Sequence, residues 1–271
     1  ELCSQYKCTH IQGPNFMYKL MARKWLELKD KPNINLSSLY HIFNAAETIN
    51  FNDYNFFYNT FKNYGLRKEA LATGYGLAES VVYVCDSGYN NIRGGRKLNI
   101  DIETMENNNK VKVLNSGGKE IMGCGKPFID VDVKIVNNNK ILPELEVGEV
   151  YISSKSVADE YLVNEINNVK YMSSGDLGFI YQKELYITGR CKDLIILYGK
   201  NYYPQDFEWI IEQNENIKKG TTAVFEDNNS LVMISEVKSA STFLEYTTIA
   251  KLIKKEINET FGVNISVYFF G

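Results

Sequence analysis

The sequence predicts an α/β fold followed by two smaller regions, and three observations support this. In the first 85 residues, candidate helices alternate with short continuous apolar segments, which is typical of a mainly parallel sheet. From residue 131 onward, short alternating segments follow one another closely, which predicts a small antiparallel or barrel-like β subdomain. After residue 191, one strand, two helices and a strand pair predict a compact α+β unit.

We therefore expect three regions. Residues 1–125 form part of an α/β core that carries an insertion at about 87–123. Residues 126–191 form the β-rich subdomain, and residues 192–271 form the α+β unit. The chain begins without Met and stops directly after a strand-like segment, so we expect it to be a piece of a longer protein.

The first region contains two predicted amphipathic helices. After the candidate cap Asn15, apolar residues recur from Tyr18 to Trp25 at positions i, i+3, i+4 and i+7. A second helix is predicted from Asp53 to Gly65, because glycine adopts the left-handed conformation that ends many helices.

Short buried strands are predicted at residues 39–43 and 81–85 of the same region. Further strands are predicted at 131–136, 149–153, 179–181 and 184–188, where apolar and polar residues alternate.

The last region combines one strand with two helices and a strand pair. Residues 194–198 are a predicted strand, and Pro204 opens a helix. The pattern predicts that residues 222–225 and 231–236 pair as strands. A longer helix that ends at Gly262 is predicted to bury Ile249, Leu252 and neighbouring isoleucines.

Composition and charge exclude several classes of protein. Thirty Lys and Arg nearly balance 33 Asp and Glu, so nucleic acid is not a favoured partner. No apolar run reaches the roughly 18 residues that a membrane-spanning helix needs. We expect a soluble, cytoplasmic protein without a membrane span. The five cysteines are an odd, scattered number, which indicates reduced thiols.

Three short motifs place polar groups beside glycine, where the backbone can approach a ligand closely. Residues 75–79, Tyr-Gly-Leu-Ala-Glu, combine an aromatic ring that can stack on a purine with a carboxylate that can hold Mg²⁺. In residues 173–178, Ser-Ser-Gly-Asp-Leu-Gly, the acid can accept both hydroxyls of a ribose. In residues 189–193, Gly-Arg-Cys-Lys-Asp, the arginine suits phosphate or ribose oxygens. Each motif alone is also compatible with a tight structural turn.

In this order, the three motifs and the Gly-Lys-Asn-Tyr-Tyr-Pro segment at 199–204 resemble the adenylate-forming superfamily of acyl-activating enzymes. Gly-Pro-Asn-Phe at 13–16, Asn-Ala-Ala-Glu at 44–47 and the alanine at position 78 are similar to its fatty acyl-AMP ligase branch. Residues 87–123 occupy the position of that branch's insertion, which hinders the rearrangement that admits coenzyme A.

The resemblance implies a role for each matched residue. Tyr75 with Gly76 would contact adenine, whose edge Ala46 and Glu47 would line. Glu79 would bind Mg²⁺ and take part in catalysis. Asp176 would hold the ribose, and Arg190 would contact ribose or phosphate and take part in catalysis. Lys192 would be the hinge, and Asn15 and Phe16 would lie on the acyl side.

The implied reaction is attack of a fatty acid carboxylate on the α-phosphorus of ATP, with Mg²⁺, to give acyl-AMP and pyrophosphate. The acyl group would then pass to an acyl carrier protein or phosphopantetheinyl domain, as in the loading of polyketide synthases. The family's phosphate loop and its C-terminal lysine find no match in these 271 residues, so we expect this segment alone to be inactive.

Two other functions remain open at this point. A coenzyme A ligase of the same superfamily differs only by the insertion, so a loosely attached insertion would weaken the distinction. A non-catalytic relative would keep the adenosine contacts without turnover. For Phe16, packing in the core is an alternative to the acyl-side role.

Overall fold

A computed structural model describes residues 1–88, 95–228, 230–238 and 242–270. The chain divides into two compact units, Glu1–Thr188 and Gly189–Gly271, which we call unit 1 and unit 2. Residues 89–94 of the predicted insertion lie outside the described residues. Among the described residues, no helix has both the length and the apolar character needed to cross a membrane.

Unit 1 contains helices and strands in mixed order. Its helices are α1 (Leu2–Gln5), α2 (Asn15–Glu27), α3 (Phe51–Phe61) and α4 (Ile102–Asn108). Its strands are β1 (His10–Gly13), β2 (His41–Asn44), β3 (Leu71–Tyr75), β4 (Cys85–Asp86), β5 (Lys97–Ile100), β6 (Val113–Leu114), β7 (Lys119–Met122), β8 (Lys126–Pro127), β9 (Val131–Asn137), β10 (Lys140–Ile141), β11 (Gly148–Ser154), β12 (Asn164–Ile166), β13 (Val169–Tyr181) and β14 (Glu184–Arg190).

The first sheet has the strand order β1-β2-β3-β4-β8, and its first three strands are parallel. Helices α2 and α3 pack together over it, with Tyr18, Phe57 and Ile42 in one buried cluster. The hydroxyl of Tyr54 donates to the Ile42 carbonyl at 2.6 Å and accepts from the Ala72 amide at 3.1 Å, which ties α3 to two strands. The predicted α/β core is confirmed.

The helix boundaries follow local signals, with differences at the beginnings of two helices: α3 begins at Phe51 rather than at Asp53, and α2 differs at its cap. Pro14, rather than Asn15, occupies the N-cap position, and Asn15 is the first helical residue. Asn50 caps α3 by accepting from two backbone amides. A single 3₁₀ turn follows α3, and Gly65 closes it in the left-handed conformation with φ 88°, as predicted.

The predicted strand at 81–85 is wrong for most of its length. Val81 and Val82 have φ values of 55° and 76° and are exposed, and only Cys85–Asp86 is a strand. The Val82 amide donates to the Leu77 carbonyl at 2.9 Å, so the chain reverses tightly after residue 79. Tertiary context thus overrides the strand propensity of valine here.

Residues 95–123 of the predicted insertion are described and belong to unit 1. Strands β6 and β7 both pair with β5, so the turn at 115–118 does not join a simple hairpin. The remaining strands of unit 1 form a second sheet, in the order β10-β9-β11-β13-β12 with β14 paired to β13. Within the described residues this sheet is open, so the expectation of a barrel-like subdomain is corrected.

Unit 2 is an α+β unit. It contains β15 (Ile195–Leu197), β16 (Lys200–Tyr202), α5 (Pro204–Ile211), β17 (Ala223–Asp227), β18 (Ser230–Glu236), α6 (Phe243–Phe261) and β19 (Ile265–Phe270). Pro204 opens α5 and Gly262 ends α6, as predicted. Ile249, Ile253 and Ile257 are buried, whereas Leu252 is 52% exposed and does not belong to the buried face.

Candidate functional site

Two predicted site residues that lie far apart in the sequence meet in unit 1. Tyr75 ends β3, and its hydroxyl donates a hydrogen bond of 2.6 Å to the Asp176 carboxylate on β13. Burial, reinforced by the Asp176 carboxylate, raises the pKa of Tyr75 above its ordinary value. The phenol therefore stays protonated near neutral pH and remains a donor to Asp176. An aromatic ring and a carboxylate are thus held together at the carboxyl end of the parallel strands, where open α/β sheets bind ligands.

A second carboxylate, that of Glu149, binds the segment that carries Asp176. Glu149 on β11 accepts from the Ser173 hydroxyl and, at 3.1 Å, from the Gly175 amide. Gly175 has φ 73° with open space around its Cα, and Ser174 accepts from the Asp176 amide at 3.1 Å. Sequence reasoning did not single out Glu149, because only the pairing of β11 with β13 brings it to the motif.

Gly76 follows Tyr75 at a point where the backbone is crowded. A Cβ atom at this position would overlap the Val82 carbonyl oxygen, so only glycine fits without movement. The chain then makes a 3₁₀ turn over Ala78–Ser80, which leaves Glu79 exposed. Its carboxylate is accessible to a ligand.

The loop after β2 is attached to the beginning of α2. Ala46 has φ 74°, a conformation that is unusual for a residue with a side chain. The Glu47 carboxylate accepts from the Phe16 backbone amide at 2.5 Å. The Phe16 side chain is 59% exposed, so the alternative of core packing is wrong.

Asn15 lies beside this loop and is 5% exposed. Its Oδ1 accepts from the Asn44 side chain at 3.1 Å and from the Asn50 amide at 3.2 Å. Its Nδ2 donates to Asp53 at 3.2 Å, and Lys19 pairs with the other oxygen of Asp53 at 2.7 Å.

The two basic candidates follow the boundary between the units in the sequence, because β14 begins in unit 1 and its last two residues belong to unit 2. Arg190 is the last residue of β14, and Lys192 lies in the 3₁₀ turn Cys191–Asp193 that follows. Both side chains are exposed. Their exposure is compatible with contact to a ligand.

Two surface cavities adjoin each other, since both are bordered by Asp130, Val131 and Lys155. The smaller, of about 310 Å³, is bordered by Ser80, Val81 and Tyr83, next to Glu79. The larger, of about 690 Å³, is lined by residues at the ends of β9 and β11, including Asp132, Ser153 and Lys155. Neither cavity has Tyr75 or Asp176 in its lining.

A protein-family model and two named relatives are similar to this chain. The family model described as "AMP-binding enzyme" matches residues 1–162. The medium-chain-fatty-acid [acyl-carrier-protein] ligase JamA of Moorena producens is 31% identical, over 96% of this chain and 46% of that protein. The long-chain-fatty-acid AMP ligase FadD32 of Mycobacterium marinum is 24% identical, over 95% of this chain and 49% of that protein.

A solved structure is also similar to this chain. It comes from structural and functional studies of fatty acyl-adenylate ligases from E. coli and L. pneumophila. Its TM-score is 0.87 at 25% identity, and the match covers 99% of this chain and 50% of that chain. The chain spans about half the length of the curated relatives it matches.

Proposed function

Because the chain belongs to the AMP-binding enzyme family, we propose that its protein activates a fatty acid carboxylate with ATP to form acyl-AMP. The observation that carries this proposal is the contact between Tyr75 and Asp176 at the carboxyl edge of the sheet. In the reaction, a carboxylate oxygen attacks the α-phosphorus of ATP, the bond to the bridging oxygen breaks, and pyrophosphate leaves.

The residues present fit a bound adenosine. We assign the adenine to the Tyr75 ring beside Gly76, with Ala46 and Glu47 at its edge. The ribose hydroxyls fall to Asp176, because an ionised carboxylate is an acceptor that can take more than one hydrogen bond. Arg190 remains our candidate for ribose or phosphate contact, and Lys192 for the hinge.

The Mg²⁺ assignment rests on one carboxylate. Among the described residues, no group of three or more His, Cys, Asp and Glu side chains could hold a metal ion by itself. Mg²⁺ is usually bound by one or two carboxylates together with substrate phosphates, which an exposed Glu79 fits. When bound, the ion would neutralise charge on the phosphates.

These residues contribute positioning rather than acid-base chemistry. Tyr75 and Asp176 hold each other in place before a nucleotide arrives, which reduces the entropy lost on binding. Fixed dipoles and charges then stabilise charge that develops at phosphorus. We include Glu79 and Arg190 as catalytic candidates on this basis.

We propose an acyl carrier protein, or a phosphopantetheinyl domain, as the acceptor. The name of JamA supports this choice, since it transfers medium-chain fatty acids to acyl carrier protein. The contact of Arg96, in the described part of the insertion, with Glu184 on β14 also supports it, because a loosely attached insertion would have favoured the coenzyme A alternative.

Product analysis by mass spectrometry tests the proposal. The full-length protein receives ATP, Mg²⁺ and a mixture of fatty acids, with coenzyme A or a carrier protein supplied separately. We expect acyl-AMP and acylated carrier without acyl-CoA, and an Asp176→Ala variant should lose both products. Tyr171→Phe, which removes a hydrogen bond to Asp132 in the second sheet, is the matched control.

Other products would contradict parts of the proposal. Abundant acyl-CoA would overturn the acceptor assignment and favour a coenzyme A ligase. Nucleotide binding without any adenylate would favour a non-catalytic relative.

A further inference from the structure

The beginning of α2 holds the loop that follows β2 through side chains as well as backbone. Besides the Asn15 contacts, the Ala45 amide donates to the Gly13 carbonyl at 3.3 Å. The Phe16 amide donates to Glu47. The loop at 45–50 is therefore attached near both of its ends to residues 13–16.

The Asn15 side chain makes hydrogen bonds to residues at both ends of this loop and to α3. The Asn50 backbone amide can only donate, so the atom it contacts on Asn15 must be the oxygen. That assignment leaves Nδ2 for Asp53, whose second oxygen is neutralised by Lys19. Because Asn15 is nearly fully buried, its amide is committed to protein partners.

The loop needs such support. Ala46 adopts a left-handed conformation that an L-residue with a side chain rarely adopts, and it persists only when surrounding contacts determine it. Asn44, directly before the loop, is completely buried and donates to Asn15. Loss of the Asn15 amide would release Asn44 and Asn50, which flank Ala46 and Glu47.

We infer that Asn15 is a positioning residue for the loop at 45–50, and through it for the bound nucleotide, rather than a contact for the acyl chain. The nucleotide part of this inference rests on the proposed function. The loop part depends only on the hydrogen bonds described above.

The first test is hydrogen exchange on the full-length protein. Asn15→Leu keeps the volume of the side chain and removes all three hydrogen bonds. We expect faster exchange of the amides at 44–50, and no change there in the control Tyr171→Phe. Unchanged exchange at 44–50 would overturn the inference, whether or not the protein binds a nucleotide.

The second test is calorimetric titration with AMP. Asn15→Leu should weaken AMP binding about tenfold, since each lost buried hydrogen bond changes an equilibrium severalfold. The double variant Asn15→Asp with Asp53→Asn keeps the acceptor for Asn44 and Asn50, keeps the net charge, and reverses donor and acceptor in the contact between positions 15 and 53, so its affinity should stay within about threefold of the parent. This conservative variant also covers the case in which Asn15→Leu does not fold.

The remaining outcomes separate the two roles. Unchanged AMP affinity with an altered preference for acyl chain length would make Asn15 an acyl contact and overturn the inference. A parent protein that does not bind AMP would contradict the proposed function and the nucleotide part of the inference, while the exchange result would still decide the loop part.

Discussion

At the scale of single residues, the motif around Gly76 depends on backbone packing. An added Cβ would overlap a carbonyl oxygen, which belongs to the backbone and cannot rotate away as a side chain could. Gly117 differs, because it has φ 74° and open space around it. Substitution of Gly76 therefore tests the effect of steric overlap, and substitution of Gly117 tests the effect of a left-handed backbone conformation.

We expect Gly76→Ala to lower the free energy of unfolding of unit 1 by about 3 kcal/mol, at the upper end of overpacking. Gly117→Ala should lower the free energy of unfolding by about 1 kcal/mol, because an L-residue is strained in the left-handed conformation. Chemical denaturation of both variants measures the difference. Equal losses would mean that the chain at Val82 moves freely and that the crowding is not significant.

A second residue-scale feature is the pairing of an aromatic donor with an acid. Tyr75 can donate to Asp176 because burial and the carboxylate both oppose its ionisation. The raised pKa keeps the proton on the phenol, so this contact persists across the neutral range. The geometry of the candidate nucleotide site should therefore not depend on pH near 7.

At the scale of elements, the insertion is attached to unit 1 at separate places. Arg96 Nε lies 3.0 Å from the buried Glu184, and the Thr73 hydroxyl donates to the Gly123 carbonyl at 2.6 Å. The Val111 amide donates to the Leu145 carbonyl at 2.8 Å. The Lys97 ammonium lies 4.6 Å from the centre of the Phe51 ring on α3.

The ion pair between Arg96 and Glu184 gives a pH-dependent prediction. Burial raises the pKa of Glu184, and the Arg96 guanidinium opposes that shift. When the pKa of a carboxyl group is higher in the folded state than in the unfolded state, the folded protein loses stability as the pH rises through the folded-state pKa. Replacing Arg96 removes the positive charge that stabilises the Glu184 carboxylate. The ionised form of Glu184 then destabilises the folded state more than it does in the parent.

We expect Arg96→Met to destabilise unit 1 by about 2 kcal/mol at pH 8, below the value for a fully buried pair because Arg96 is partly exposed. At pH 5 the loss should be smaller, since a larger fraction of Glu184 is protonated than at pH 8 and the neutral carboxyl group does not need the cation. Denaturation at both pH values tests this. Lys112→Met, which removes an exposed contact to Asp101, is the control. An equal loss at both pH values would contradict the explanation.

At the scale of the whole molecule, each unit has its own buried cluster. The cluster of unit 2 includes Phe207, Met233 and Ile253. The chain contains two tryptophans, and Trp25 lies in unit 1 whereas Trp209 lies in unit 2. Tryptophan fluorescence can therefore report on each unit separately.

We expect the two units to unfold in separate transitions. Trp209→Phe leaves a reporter in unit 1, and Trp25→Phe leaves one in unit 2. Denaturant curves of these variants should have different midpoints, because each unit has a core of its own. Circular dichroism of the parent should show both transitions. Superimposable curves from the two variants would show one cooperative molecule.

The sequence by itself determined the features that depend on near neighbours. Glycines 65 and 262 end their helical segments, Pro204 opens α5, and the alternating segments form the second sheet. The order of three short motifs was also sufficient for the family. The physical reason is that caps, turns and strand patterns are settled by residues a few positions apart.

Only the tertiary structure decided which distant groups meet. Tyr75 and Asp176 are 101 positions apart, and their contact requires β3 and β13 to be brought to one edge. Val82 reads as a strand residue but forms part of a tight reversal, and Phe16 is exposed. The commitment of Asn15 to Asn44 and Asn50 follows from packing α2 against the end of β2. Such contacts depend on the relative placement of whole elements, which local sequence patterns do not encode.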